Sequence, residues 1–238
     1  MKIALLGYGK MGREIEKISN ERNHEIVLKI DIDNQHENTI ENLRKADVAL
    51  DFSIPASAFG NISNCFEAGT PVVCGTTGWH DKLGEIKDLC NTKNQTFFYA
   101  SNFSLGVNVF FAMNRYLSDI MNNLNGYDVE MKEIHHIHKL DAPSGTAITL
   151  ANDIIDRFDR KKKWVLDEAS DNSTLRITAV RENEVPGTHS ISWESSVDRI
   201  EIMHEAKNRR GLAMGAVLAA EFIRDKKGIF SMQDIIKL

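Results

Sequence analysis

The chain has little of what marks a secreted, metal-stapled or membrane-borne protein. Its three cysteines, Cys65, Cys74 and Cys90, are odd in number and show no C-x-x-C spacing, which argues against a disulfide framework and a zinc site and leaves reduced, buried thiols. No apolar run approaches the roughly 20 residues of a spanning helix. The longest near the C-terminus, Leu212–Ala220, stops at Glu221. Met1 leads straight into Ile3–Leu6 and Gly7, with no room for the successive regions of a signal peptide, so the cytoplasm is the expected compartment. Nor is there a surplus of positive charge. With 29 Lys and Arg against 34 Asp and Glu, the net of −5 gives no footprint for nucleic acid or an anionic membrane. Anionic ligands must then be met by local positive sites. Internal repeats are absent, and the run Lys161–Lys163 reads as a solvated loop face.

What the chain does have is enough apolar content, 42% of 238 residues, to bury one large or two modest cores. Up to about Asn102, β-branched runs alternate with amphipathic stretches. The runs Lys2–Leu6, Glu25–Ile32, Asp47–Phe52, Pro71–Gly75 and Thr96–Ala100 read as strands of a parallel sheet covered by helices, a βαβαβ arrangement. After Asn102 a long helix, about Leu105–Leu124, leads into period-two segments near Tyr127–Ile137, Leu175–Val180, Thr188–Glu194 and Val197–His204. These predict a second, largely antiparallel α+β unit. Leu212–Ile223 reads as a helix whose small residues suit close packing, and it is expected to return to the first domain.

Gly7-Tyr8-Gly9-Lys10-Met11-Gly12 lies between the first strand and the first helix. Glycines there permit a tight turn and let backbone N–H groups and the helix start approach a pyrophosphate, the dinucleotide-binding arrangement of a Rossmann-like, doubly wound sheet. Asp31 follows at the end of the second strand, where a carboxylate can hold an adenosine ribose hydroxyl; Asp33 is a rival for that contact. A carboxylate favours NAD over NADP, but Lys10 can offset the charge of a 2′-phosphate, so both NADH and NADPH stay open. Gly75-Thr76-Thr77 after the fourth strand and Ala100-Ser101-Asn102-Phe103 after the fifth lie at the same carboxyl edge, where nicotinamide and its ribose would be met. Cys74 has no base nearby in sequence and reads as a packed thiol.

The second feature is Glu133-Ile134-His135-His136-Ile137-His138-Lys139, followed by Asp141-Ala142-Pro143-Ser144-Gly145-Thr146-Ala147. On a strand, His135 faces away from His136 and His138, which disfavours one metal held by all three histidines. Ser144, Gly145 and Thr146 open a helix, and their N–H groups, with Lys139 upstream, form an anion site suited to a carboxylate. His135 or Lys139 can exchange a proton there.

The motif E-x-H-H-x-x-K-x-D-A-P-S-G-T-A from Glu133 to Ala147, with Asp51-Phe52-Ser53, the G-T-T-G at Gly75–Gly78 and Asn102-Phe103-Ser104, resembles the 4-hydroxy-tetrahydrodipicolinate reductase (dihydrodipicolinate reductase) family over essentially the whole length. The resemblance implies a dinucleotide-binding domain over 1–103 and 210–238 and a substrate-binding and oligomerisation domain over 104–209. It implies hydride delivery from NADH or NADPH in diaminopimelate and lysine biosynthesis, and a homotetramer built through the C-terminal sheets. By it, His135 is the general acid/base, Lys139 a proton donor, and His136, Gly145 and Thr146 bind the substrate dicarboxylate. The cofactor positions are Gly7–Gly12, Asp31, Gly75–Thr77 and Ala100–Phe103, and no metal is implied. Asn183 and Leu212 depart from the family pattern, and the first glycine loop is short. Two rivals are a Rossmann dehydrogenase of the aldehyde or homoserine type, which needs a committed nucleophile or a different acid pair, and a non-catalytic dinucleotide sensor, which leaves the histidines without a role.

Overall fold

Strands that are apolar on both faces must be covered on both, and the first part of the chain meets that demand. In the computed structural model, which describes residues 1–168, 171–208 and 210–237, the order is β1 (Lys2–Leu6), α1 (Lys10–Glu21), β2 (Glu25–Ile30), α2 (Ile40–Leu43), β3 (Val48–Asp51), α3 (Pro55–Ala68), β4 (Val72–Cys74), α4 (Leu83–Thr92), β5 (Thr96–Tyr99) and α5 (Leu105–Asn122). There follow β6 (Asp128–His135), α6 (Gly145–Ile155), β7 (Lys163–Leu166), β8 (Thr174–Arg181), β9 (Thr188–Glu194), β10 (Arg199–Glu205), α7 (Arg210–Ile223), β11 (Gly228–Phe230) and α8 (Met232–Ile236). The chain divides into two compact units, Met1–Leu105 with Arg210–Leu238, and Gly106–Arg209. Arg209, the last residue of the predicted second domain, lies outside the described residues.

The first unit holds six strands in the order β2-β1-β3-β4-β5-β11, all parallel. Side chains alternate between the two faces. Ile3, Leu5, Val48, Leu50, Val73 and Phe98 pack with residues of α1 and α7, while Ala4, Leu6, Ala49, Val72 and Phe97 pack with α3 and α4. The small residues of α7 permit a close seat: a Cβ on Gly215 would stand 1.7 Å from the carbonyl oxygen of Phe103. Strand order reverses between β1 and β3, the switch point at whose carboxyl edge open α/β sheets bind ligands.

The second unit corrects the expectation of a largely antiparallel sheet. Its five strands run β10-β9-β6-β8-β7; β6 pairs antiparallel with β9, and β9 with β10, but β6–β8 and β8–β7 are parallel. α6 carries the chain back across the sheet so that β7 starts from the same end as β6, and β8 pairs parallel with both. One face is covered by α5 and α6 over Met131, Leu175, Ile177 and Ile191, with Phe158 set edge-on to Trp193 at 4.8 Å. The other face presents Asp128, Glu130 and Lys132 from β6.

A second correction concerns Lys161–Lys163. Lys161 is 2% exposed: its ammonium donates to the carbonyls of Asn172 (3.0 Å) and Thr174 (3.1 Å) and pairs with Asp128 at 2.7 Å. A buried cation needs such partners, and these come from a distant turn that local patterning does not reveal. Lys163 opens β7 instead of extending a loop. Among the described residues no helix is long and apolar enough to cross a membrane.

Candidate functional site

The glycine loop follows β1 directly, and each glycine answers a separate demand. Gly7 takes φ +96°, and a Cβ on it would stand 2.3 Å from the carbonyl oxygen of Phe52. Gly12 is equally constrained, by the carbonyl oxygen of Gly7 at 2.3 Å. Around Gly9 a Cβ would meet nothing within 4 Å, so the loop is open where the backbone would approach a phosphate, and no side chain caps the start of α1. Lys10 is exposed, Met11 packs against the core, and Tyr8 donates its hydroxyl to Glu16, which also pairs with Lys29 at 2.6 Å. These contacts, led by Lys29 and then Tyr8, hold the Glu16 carboxyl below its ordinary range. Asp31 stands one residue past β2, exposed, and its carboxylate accepts from the N–H of Ile32 at 2.9 Å, which caps a short 3₁₀ turn containing Asp33. These residues fit a dinucleotide: an open backbone cradle, an uncapped helix start and an exposed carboxylate past the second strand.

At the neighbouring edge, Asp51 ends β3 with no exposure at all. Its carboxylate accepts from Thr76 Oγ1 (2.7 Å), Asn61 Nδ2 (2.7 Å), Ser53 Oγ (2.8 Å) and the Cys74 thiol (3.4 Å). Burial pushes its pKa up, against those hydrogen bonds. Thr76 is thereby held inside, whereas Thr77 is exposed. Gly75 is required by the ring of Phe52, 2.2 Å from where a Cβ would stand. Burial, and next the charge of Asp51, push the Cys74 thiol up, so it is no nucleophile of the kind an aldehyde dehydrogenase needs. Of Ala100–Phe103, Ser101 is exposed and Asn102 Oδ1 accepts from the N–H of Ser104 at 2.9 Å. Phe103 lies in the core against Phe52 (5.4 Å) and Phe98 (5.8 Å), which leaves its backbone, not its ring, for any ligand.

In the second unit, period two along β6 sends Val129, Met131, Glu133 and His135 inward. Glu133 has no exposure and His135 is 7% exposed. Glu133 accepts from the N–H of Ser144 (2.9 Å) and from Arg181 (3.2 Å). The same carboxylate lies 3.7 Å from His135 Nδ1 and 3.8 Å from His189 Nε2. Burial acts to raise the Glu133 pKa, but donation by Ser144 and by Arg181 outweighs it and holds the carboxyl below its ordinary range. Burial lowers His135 against the pull of Glu133, and lowers His189 to about 4, so both rings rest neutral. Glu133, His135 and His189 are spaced within 4.8 Å, as a cation would need, yet both carboxylate oxygens already accept hydrogen bonds, and Arg181 adds positive charge.

Ser144 caps α6, accepting from the N–H of Ala147 at 3.2 Å and sharing a hydrogen bond with His189 Nε2 at 3.0 Å. Gly145 is exposed, with space where a Cβ would be, and Thr146 is half-buried. Lys139 pairs with both oxygens of Asp141 at 2.8 Å. His136 and His138 lie in the turn after β6, their rings 6.0 Å apart, with His138 on Glu184 at 3.0 Å. Asn183, in the turn beyond β8, adopts φ +43°, which asparagine tolerates. The sequence alone gives Glu133 a place in a motif but no role, and does not point to His189, Arg181 or the network of Asp51. The alternation of Glu133 with His135 was a usable signal; nothing local marked His189.

Comparison with known proteins adds a consistent set of likenesses. The family model described as dihydrodipicolinate reductase, N-terminus, matches residues 1–103, and that for the C-terminus matches 106–236. A 4-hydroxy-tetrahydrodipicolinate reductase of Christiangramia forsetii is 53% identical over 99% of this chain and 98% of its own length. One from Methanopyrus kandleri is 36% identical over 83% of this chain and 74% of that relative. Among solved structures, a dipicolinate-bound dihydrodipicolinate reductase from a Paenisporosarcina species shows a TM-score of 0.80 at 25% identity, covering 99% of each chain.

Proposed function

Because the chain belongs to the dihydrodipicolinate reductase family through both its N-terminal and its C-terminal part, we propose that it reduces 4-hydroxy-tetrahydrodipicolinate to tetrahydrodipicolinate in diaminopimelate and lysine biosynthesis. The observation that carries this reading is the 53% identity over 99% of the chain, joined by the undisturbed motif from Glu133 to Ala147. The first unit is the dinucleotide-binding part, and Gly7–Gly12 with Asp31 hold NADH or NADPH, which supplies the hydride when bound.

Conversion of a 4-hydroxy ring to its reduced product replaces hydroxyl by hydrogen, so the hydroxyl leaves as water and requires a proton. His135, buried and neutral at rest, takes up a proton on its ring and delivers it to the leaving hydroxyl, and Lys139 is the second donor. The N–H groups of Gly145 and Thr146 bind one substrate carboxylate at the start of α6, and His136 is a further substrate-binding residue by the family motif. A relative of known structure being dipicolinate-bound supports a dicarboxylate there. Ser144 contributes by fixing that helix start. The second unit is also the oligomerisation part: the uncovered face of its sheet, with Ile134, Val180 and Met203 among its polar groups, supports assembly into a homotetramer. Three free, buried cysteines suit the reducing cytoplasm.

The test is an absorbance assay with freshly made synthase product. Oxidation of one reduced nicotinamide per substrate supports the reading; absence of turnover with either nucleotide overturns it.

A further inference from the structure

We propose that Glu133 is a positioning residue for the reduction, one buried carboxylate that sets both the ring of His135 and the start of the carboxylate-binding helix. This rests on the reading of the function given above. Glu133 and His135 leave β6 on the same face, two residues apart, and the strand register fixes both backbones through pairing with β8 and β9. The oxygen that faces His135 Nδ1 at 3.7 Å is the one that accepts from the N–H of Ser144 at 2.9 Å. A displacement of that oxygen therefore moves the acid/base and the helix start together.

The His135 contact is longer than a hydrogen bond, so on the neutral ring the carboxylate acts through its field. It favours the tautomer with hydrogen on Nδ1, which leaves Nε2 as the atom that gains and loses the proton. When Nε2 is protonated the ring becomes a cation beside an anion that stays ionised. His135 Nδ1 is buried and, among the described residues, has no hydrogen-bond partner, so no competing acceptor there draws the ring away. Beside Nε2 the wall is Gly187, at φ +152°, where a Cβ would stand 3.1 Å from that nitrogen. A side chain there would crowd the exchanging atom.

The groups facing His135 are Glu133 from β6, His189 from β9, Arg181 from β8, and Lys139 and Asp141 from the loop that follows β6. Lys139 and Arg181 oppose a proton on the ring; Glu133 is the principal group favouring it. His189 shares the hydrogen bond of Ser144 and stays neutral near pH 7, so it does not compete for the charge of Glu133.

The experiment combines imidazole ¹⁵N spectra of the free, full-length protein with kinetics of Glu133→Gln and Glu133→Asp. In the wild type the His135 ring should carry its hydrogen on Nδ1. Glu133→Gln should lower the pH at which His135 titrates and reduce kcat by roughly 10- to 10²-fold, less than loss of the acid/base itself. Nucleotide affinity should be unchanged and Glu133→Asp should recover part of kcat. A wild-type ring protonated on Nε2 overturns the proposal without any variant, as does an unshifted His135 titration in Glu133→Gln. Since the spectra need no substrate, a wild type that shows the expected ring but turns nothing over would count against the function alone.

Discussion

The carbonyl oxygen of Gly7 occupies the place a side chain on Gly12 would need, 2.3 Å from the position of its Cβ. That contact presses the first turn of α1 against the end of β1, whereas Gly9 between them faces open space. Gly12→Ala should therefore destabilise the protein by about 1–3 kcal/mol, the usual cost of overpacking a tight site. Gly9→Ala, at φ −78°, should melt like the wild type yet bind dinucleotide more weakly. Thermal melts and fluorescence titration with NADH separate the two effects.

Asp31 should set the preference between nucleotides. Asp31→Ser keeps a residue able to cap the following turn while removing the charge. It should shift kcat/KM toward NADPH by about 1–3 kcal/mol, as expected for one partly solvated charge near a phosphate. An unchanged ratio here, with a shift in Asp33→Ser, would move the role to the neighbour.

Replacing His135 by Gln should lower kcat by roughly 10²–10⁴-fold, the range for a positioned acid/base, and leave nucleotide affinity as it was. Steady-state kinetics beside a binding titration check this; loss of nucleotide binding with normal turnover would contradict it.

Much of this was legible in the sequence because the relevant signals are local. The end of β1 with its glycine loop, the Ser144 cap and the inward alternation of β6 all follow from spacing over a few residues. The missing parts depend on partners far along the chain. β7 is a strand because Lys163–Leu166 pairs with Thr174–Ile177, and β11 because Gly228–Phe230 lies beside Thr96–Phe98; neither has a run long enough to announce itself. Glu133 reads as a surface charge until Ser144 and Arg181 are seen to close on it. His189 reaches the site only through the pairing of β9 with β6.

Stability should fall as the solution is acidified, with His189 a named contributor. Its pKa is lowered by burial from 6.5 to about 4 in the folded chain, so below pH 6.5 the unfolded chain takes up a proton that the folded one refuses. This contribution is intact above pH 6.5 and is lost progressively toward pH 4, amounting to at most about 3 kcal/mol. Urea unfolding at pH 7.5 and 5 should show a smaller difference in His189→Asn than in the wild type.

The site for the substrate carboxylate should answer to two substitutions. Thr146→Val, which keeps the N–H and removes the hydroxyl that would join it on the carboxylate, should weaken binding of a planar pyridine dicarboxylate by about 1–3 kcal/mol, and Lys139→Ala should reduce both that affinity and kcat. Calorimetry on the three proteins checks this, and equal affinities would place the carboxylate elsewhere.

In the proposed reaction hydride passes from nicotinamide to the ring carbon that loses the hydroxyl. The most direct measurement supplies NADH deuterated at the transferable position with 4-hydroxy-tetrahydrodipicolinate and follows the product by mass spectrometry and NMR. The expected result is one deuterium per tetrahydrodipicolinate, at C4, with one water lost. Cofactor oxidation with no deuterium in the product, or product formed without cofactor oxidation, would contradict it.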